Sequence, residues 1–104
     1  MAIDVKGLDK ITHNPVRLGV LAALQIEGSL DYSALKQRFP VSETSLALNL
    51  GKLEEAKYIG CEEACAAQRP KSVYHIASAG RKALAEYLNA MQSIIDAVKN
   101  AKAK

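Results

Sequence analysis

The chain has 104 residues, of which 49% are apolar and 24% charged, and its formal net charge is +3 at pH 7. That length predicts one domain over residues 1–104 with a single modest core, and that balance excludes a disordered chain. No apolar run reaches the roughly 20 residues a membrane span needs, and two cysteines are too few for a disulfide scaffold.

The lead-in MAIDVKGLDK carries acidic residues and no apolar stretch, unlike a signal peptide. With the low cysteine count this sets the expectation of a cytoplasmic protein. A charge of +3 permits nucleic-acid binding without arguing for it, because Lys99, Lys102 and Lys104 sit in the last few residues. No internal repeat and no Pro/Gly/Ser-rich linker divides the chain.

Asn14-Pro15 reads as a helix start. Asparagine caps free N–H groups, and proline at the first helical position loses no hydrogen bond. The helix is predicted to run to Glu27, with Gly28 as a left-handed cap. It is apolar almost all round, so it is central, or it faces both a core and a partner. His13, just before it, reads as an ordinary exposed or capping residue. Arg17, on this apolar helix, reads as an internal or intersubunit salt-bridge partner.

A second helix is predicted over Ser33 to Phe39, capped by Asp31 or Ser33. Pro40 ends it, since the residue before a proline is pushed out of helical geometry. Val41 is a turn residue and Ser42 caps a third helix, about residues 42–56. There Leu46, Leu50 and Leu53 make one buried stripe at i, i+4 and i+7. At about 100° per residue the opposite face collects Thr44, Ser45, Leu48, Gly51, Lys52 and Glu55, with Asn49 at its border.

After Tyr58 the period changes. Ile59 to Ala66 and Val73 to Ile76 read as strands joined by AAQRPKS, whose Pro70 and polar residues mark a hairpin loop. Arg69 and Lys71 are the charges in that loop. A last helix is predicted from Ser78 to Lys99, where Leu84, Leu88, Met91, Ile95 and Val98 alternate spacings of four and three, a coiled-coil seam. A chain this small has little core left to cover that stripe, so it is expected to bury against a second subunit. The expected fold is mainly α with a small β-hairpin, a winged helix-turn-helix with a long C-terminal dimerisation helix.

Ordered segments carry a family resemblance. They are Pro15-Val16-Arg17-Leu18, Tyr32-Ser33-Ala34-Leu35, Ser45 through Glu54, Tyr58-Ile59, Arg69 through Tyr74 and Ala79 through Leu84. Over residues 13–95 the chain resembles short single-domain winged-helix transcriptional regulators of bacteria and archaea, near the MarR and ArsR groups. The resemblance implies a homodimer on double-stranded DNA, with the third helix in the major groove and the loop near the minor groove or backbone. Small-molecule effectors are common in related families. Three departures from the pattern, at four positions, stand out. Asn49 and Ala47 stand where histidine and serine are frequent, Lys57 where glycine closes the third helix, and Ala77 where threonine precedes the last helix. The second departure predicts a strained left-handed residue at Lys57, at about 1 kcal/mol. The third leaves Ser78 to cap the last helix.

The candidate DNA contacts are Ser42, Thr44, Ser45, Leu48, Asn49, Lys52, Arg69 and Lys71. Hydroxyls and asparagine suit bases or phosphates, leucine suits a thymine methyl, and cations on a thin loop suit a narrow minor groove. The opposing reading is a solvated helix face and an exposed charged hairpin, which makes the domain a protein–protein interaction module. Cys61 and Cys65 share one strand face. They suit a thiol switch, or a soft-metal site with His75. The spacing is not that of a zinc knuckle, and Glu62 and Glu63 disfavour thiolates, so cysteines packed as small apolar residues are preferred. No cofactor or metal is expected, and no nucleophile elbow, phosphate loop or HExxH motif suggests an enzyme.

Overall fold

A computed structural model describes residues 3–62 and 71–101 of the chain. In chain order these form α1 (Pro15–Glu27), β1 (Ser29–Asp31), α2 (Tyr32–Arg38), α3 (Glu43–Glu55), β2 (Ile59–Glu62), β3 (Val73–Ile76) and α4 (Ser78–Ala101).

Each helix begins where its cap places it. The Asn14 side chain accepts from the N–H groups of Val16 and Arg17, and Pro15 takes the first helical position. Gly28 closes α1 at φ 93°, and its N–H reaches the Leu24 carbonyl at 2.8 Å. Glycine meets that left-handed backbone without a Cβ penalty. Of the two caps foreseen for α2, Asp31 serves, accepting from Ala34 N–H at 2.8 Å, and the helix starts one residue early at Tyr32. Ser42 caps α3 through Ser45 N–H at 3.0 Å. Ser78 does not cap α4. It is the first helical residue, and the Ala77 carbonyl accepts from Arg81 N–H, which leaves alanine, with no side-chain acceptor, at the capping position.

The expected hairpin is part of a three-stranded antiparallel sheet, order β1-β3-β2. β3 pairs on one side with β2, Ile59 opposite Ile76 and Glu62 opposite Val73, and on the other with β1, Leu30 opposite Tyr74. β1 was not foreseen. It has three residues, too few for an alternation to register, and it is stabilised by pairing rather than by propensity. β2 was expected to reach Ala66. It is described to Glu62, and residues 63–70 lie outside the described set.

Inward strand positions and helix stripes meet in one core. Val20, Leu21 and Leu24 of α1, Leu46, Leu50 and Leu53 of α3, and Ile59, Tyr74, Ile76 and Leu84 belong to a single buried cluster. Each such leucine contributes about 1.5–3 kcal/mol by leaving water. The core also fixes which face of α3 remains outside.

α4 leaves this body. Its buried residues, Gly80, Ala83, Leu84 and Tyr87, all fall in its first ten positions. At 1.5 Å per residue its 24 residues span about 36 Å. The rest projects, and the molecule measures 54 × 26 × 21 Å.

Candidate nucleic-acid interface

α3 presents two faces. One buries Leu46, Leu50 and Leu53; the other forms a shallow open groove lined by Ala47, Leu48, Gly51, Lys52 and Glu55. Leu48 is 60% exposed, although leucine is the most apolar residue on this face. Ser42, Thr44 and Lys52 are exposed and Ser45 half-buried, so these candidates stand together on or beside the outward face. Among the described residues, Arg38–Glu27 is an ion pair at 2.6 Å, while the ammonium groups of Lys52 and Lys71 make none.

Asn49 departs from this set. It is 7% exposed. Its Oδ1 accepts from Arg17 Nη1 at 2.7 Å, and its Nδ2 donates to the Ser45 carbonyl at 2.9 Å. Both ends of the amide are engaged inside the protein, so it has no free edge for a base. Arg17 makes no internal salt bridge among the described residues, although one was expected within the subunit or across to a second. Its other hydrogen bonds go to the Ile11 and Lys10 carbonyls, at 2.6 and 3.3 Å. Nothing in the sequence separates an asparagine at the border of a helix face from one inside it. The cue lies in pairing it with the lone cation of α1.

Lys71 is exposed at the start of the segment that enters β3, and Ser72 beside it is buried with its carbonyl accepting from Tyr32 N–H at 2.9 Å. Ser72, just before β3, is therefore tied to the start of α2. Arg69 lies outside the described residues, as does Cys65. Cys61 is half-buried and packed against the core, as expected, but it is disulfide-bonded rather than a free thiol. It points to the inner side of the sheet, opposite Tyr74. His75 lies on the outer side against Gly60, where an added Cβ would meet the imidazole at 2.5 Å. Among the described residues no group of three metal-ligating side chains occurs.

On α4 the expected seam divides. Leu84 is 2% exposed and belongs to the subunit's own core. Leu88, Ile95 and Val98 are exposed and Met91 half-buried, while the lead-in lies on another face of α4, against Glu86, Ala90, Ser93 and Ala97. His13, itself exposed, places Nδ1 2.9 Å from the Tyr87 hydroxyl, which joins the lead-in to this helix.

A helix-turn-helix followed by the antiparallel β2–β3 pair and a long last helix is the architecture the sequence resemblance implied, and β1 adds a third strand to it. Residues 16–95 match the winged helix DNA-binding domain family. The chain belongs to that family. Among solved structures it is similar to a transcriptional regulator homologue from Pyrococcus horikoshii OT3, with TM-score 0.77, 22% identity, and 89% of this chain and 93% of that one covered. It is also similar to the YusO protein of Bacillus subtilis, with TM-score 0.73, 22% identity, and 90% and 66% covered. A third is the transcriptional repressor BigR of Xylella fastidiosa, with TM-score 0.58, 25% identity, and 85% and 79% covered. At 22% identity the first two speak to the fold alone. A comparison with curated proteins returns no significant match. The family is a DNA-binding one and these neighbours include regulators of transcription rather than enzymes. No helix among the described residues of this winged-helix chain is long and apolar enough to cross a membrane.

Proposed function

We propose that this winged-helix protein is a sequence-specific transcriptional regulator that binds duplex DNA as a cytoplasmic homodimer. In this reading α3 enters the major groove and the 67–72 loop lies on the minor groove or backbone. The observation that carries it is the open face of α3. Thr44, Leu48, Gly51 and Lys52 stand outward there, and Leu48 is exposed on a helix whose other large apolar residues are buried. Hydroxyl, methyl and ammonium groups on one face are what base edges and phosphates accept. The stripe of exposed Leu88, Ile95 and Val98 with half-buried Met91 supplies the second subunit's contact, and its two-fold axis sets half-sites about one DNA turn apart.

One feature favours a second reading. α3 carries Glu43, Glu54 and Glu55 against a single Lys52, an acidic balance that suits a protein partner better than phosphates. The two readings separate by salt. Titrating the protein onto a duplex from its own upstream region, from low to moderate salt, is expected to give a steep loss of affinity. The Arg69→Ala/Lys71→Ala variant is expected to flatten the slope by about 2, at roughly 0.9 per phosphate contact. Absence of binding at low salt from a folded dimer would move the assignment to the protein-interaction module.

A further inference from the structure

Arg17 is half-buried, and all its hydrogen bonds go to neutral acceptors: Asn49 Oδ1 at 2.7 Å, the Ile11 carbonyl at 2.6 Å and the Lys10 carbonyl at 3.3 Å. A guanidinium is a rigid planar fork, so acceptors bound to it are fixed in direction as well as distance. Asn49 is held again by its own helix, through Ser45 one turn back. Only one orientation of the amide satisfies both contacts, since the arginine requires an acceptor and the carbonyl a donor.

The place of Asn49 on α3 gives this pin its consequence. At 100° per residue, Leu46, Leu50 and Leu53 centre about 65° to one side of Asn49. Thr44, Leu48, Gly51, Lys52 and Glu55 centre about 115° to the other. Asn49 marks the seam between the buried and the open face. Leucine side chains against a leucine-rich surface have no directional contacts, and they tolerate a small roll of the helix. A roll of about 20° at a radius of about 6 Å shifts a side chain by about 2 Å, which is enough to break base-edge hydrogen bonds.

We propose that Arg17 is a positioning residue for DNA recognition. Through Asn49 it fixes the roll of α3, and it ties that roll to the lead-in at Lys10 and Ile11. The proposal rests on the DNA-reading role of α3. A second tie supports it: the Tyr58 hydroxyl, just past α3, donates to Asp9 Oδ1 at 3.4 Å, and the same oxygen accepts from the N–H groups of Ile11 and Thr12. The lead-in thus holds α3 at its middle and just beyond its end. It is itself docked on α4 where Gly7 meets the Glu86 carbonyl and Ala90, too close for a Cβ.

The test uses the full chain. Wild type first selects a duplex from a random library. That duplex and a scrambled one are then titrated with wild type, Arg17→Met, Asn49→Ala and the double variant, with melting and hydrogen exchange on the same samples. Either single change is expected to lower the preference for the selected duplex about 10-fold, and the double no further, because the two residues act as one unit. Affinity for the scrambled duplex and the salt slope are expected to stay unchanged. Amides of α3 should exchange faster while those of β3 and α4 keep their protection. An unchanged preference in both single variants overturns the proposal. So does equal loss on both duplexes with a slope smaller by about one, which marks Arg17 as a phosphate contact. If Arg17→Met fails to fold, Asn49→Ala carries the same comparison. Should wild type prefer no duplex, the proposed function fails. Exchange of α3 then decides the positioning alone, and unchanged exchange in the variants rejects it.

Discussion

The carbonyl of Tyr58 accepts a 2.8 Å hydrogen bond from the N–H of Ala77, so the residue that follows the close of α3 is bonded to the residue that precedes α4. The first turn of α4 lies directly on this link, because a Cβ added at Gly80 would fall onto the Tyr58 carbonyl oxygen. Gly80→Ala therefore opposes two effects. Alanine improves helix propensity by about 1 kcal/mol, and the clash with unyielding backbone costs about 1–3 kcal/mol. The clash is expected to win, with a lower melting temperature and a net loss of about 1 kcal/mol or more. A variant melting above wild type would show that the start of α4 can slide off β2.

Lys57 adopts φ 66°, the left-handed conformation expected where related sequences place glycine. The geometry is a Schellman closure: Lys57 N–H bonds the Glu54 carbonyl at 2.9 Å, and Tyr58 N–H bonds that of Leu53 at 3.0 Å. The side chain is exposed and makes no ion pair among the described residues. Lys57→Gly removes the Cβ strain of about 1 kcal/mol and adds unfolded-state freedom that offsets part of it. The expected outcome in a urea titration is a stabilisation of about 0.5 kcal/mol with an unchanged slope. Lys57→Ala keeps the Cβ and is expected to show no gain, which separates relief of strain from loss of charge.

Most of the fold was legible because its signals are local. Asn14-Pro15, Gly28, Pro40 and Ser42 act through their own backbone neighbours, and the Leu46, Leu50, Leu53 stripe announces its period within one helix. What escaped depends on distant partners. β1 exists because Leu30 finds Tyr74 across 44 positions of chain. The inward turn of Asn49 depends on Arg17, 32 positions earlier on α1. Leu84 sits on the same heptad stripe as Leu88, and only the packing of α4 against the body decides that the first is core and the second surface. At the candidate site, residue types and face were readable, but the set that stays open was decided by tertiary contacts.

Tyr74 is 1% exposed, and its hydroxyl is pushed from the ordinary 10.0 to about 12 by burial, then by the neighbouring Glu54 and Tyr32. Tyr32 and Tyr58 move in the same direction, each chiefly by burial. Raised values mean that the folded state holds these protons more tightly than the unfolded chain. Stability is then complete below pH 10, where both states are protonated, and it falls as the unfolded chain ionises first. For Tyr74 that loss develops between pH 10 and about 12. Urea midpoints measured across this range are expected to decline in wild type and to decline less in Tyr74→Phe. Equal declines in the two proteins would assign the alkaline sensitivity to other groups.

Gly51 sits on the open face of α3, and a Cβ built there meets nothing within 4 Å. Inside an exposed stretch of helix, glycine costs about 0.5–1 kcal/mol relative to alanine, so Gly51→Ala is expected to raise stability by that amount. The free protein offers no reason for glycine at this position, and a ligand that closes on this face does. If DNA lies against Leu48 and Lys52, an added methyl between them meets a base edge or sugar. Specific affinity should then fall about 10-fold while the free protein melts higher. The opposite signs distinguish this variant from one that merely damages the fold. Thermal melting and a duplex titration on one preparation read both effects, and an alanine variant that is more stable and binds as tightly as wild type would place the DNA contact elsewhere on α3.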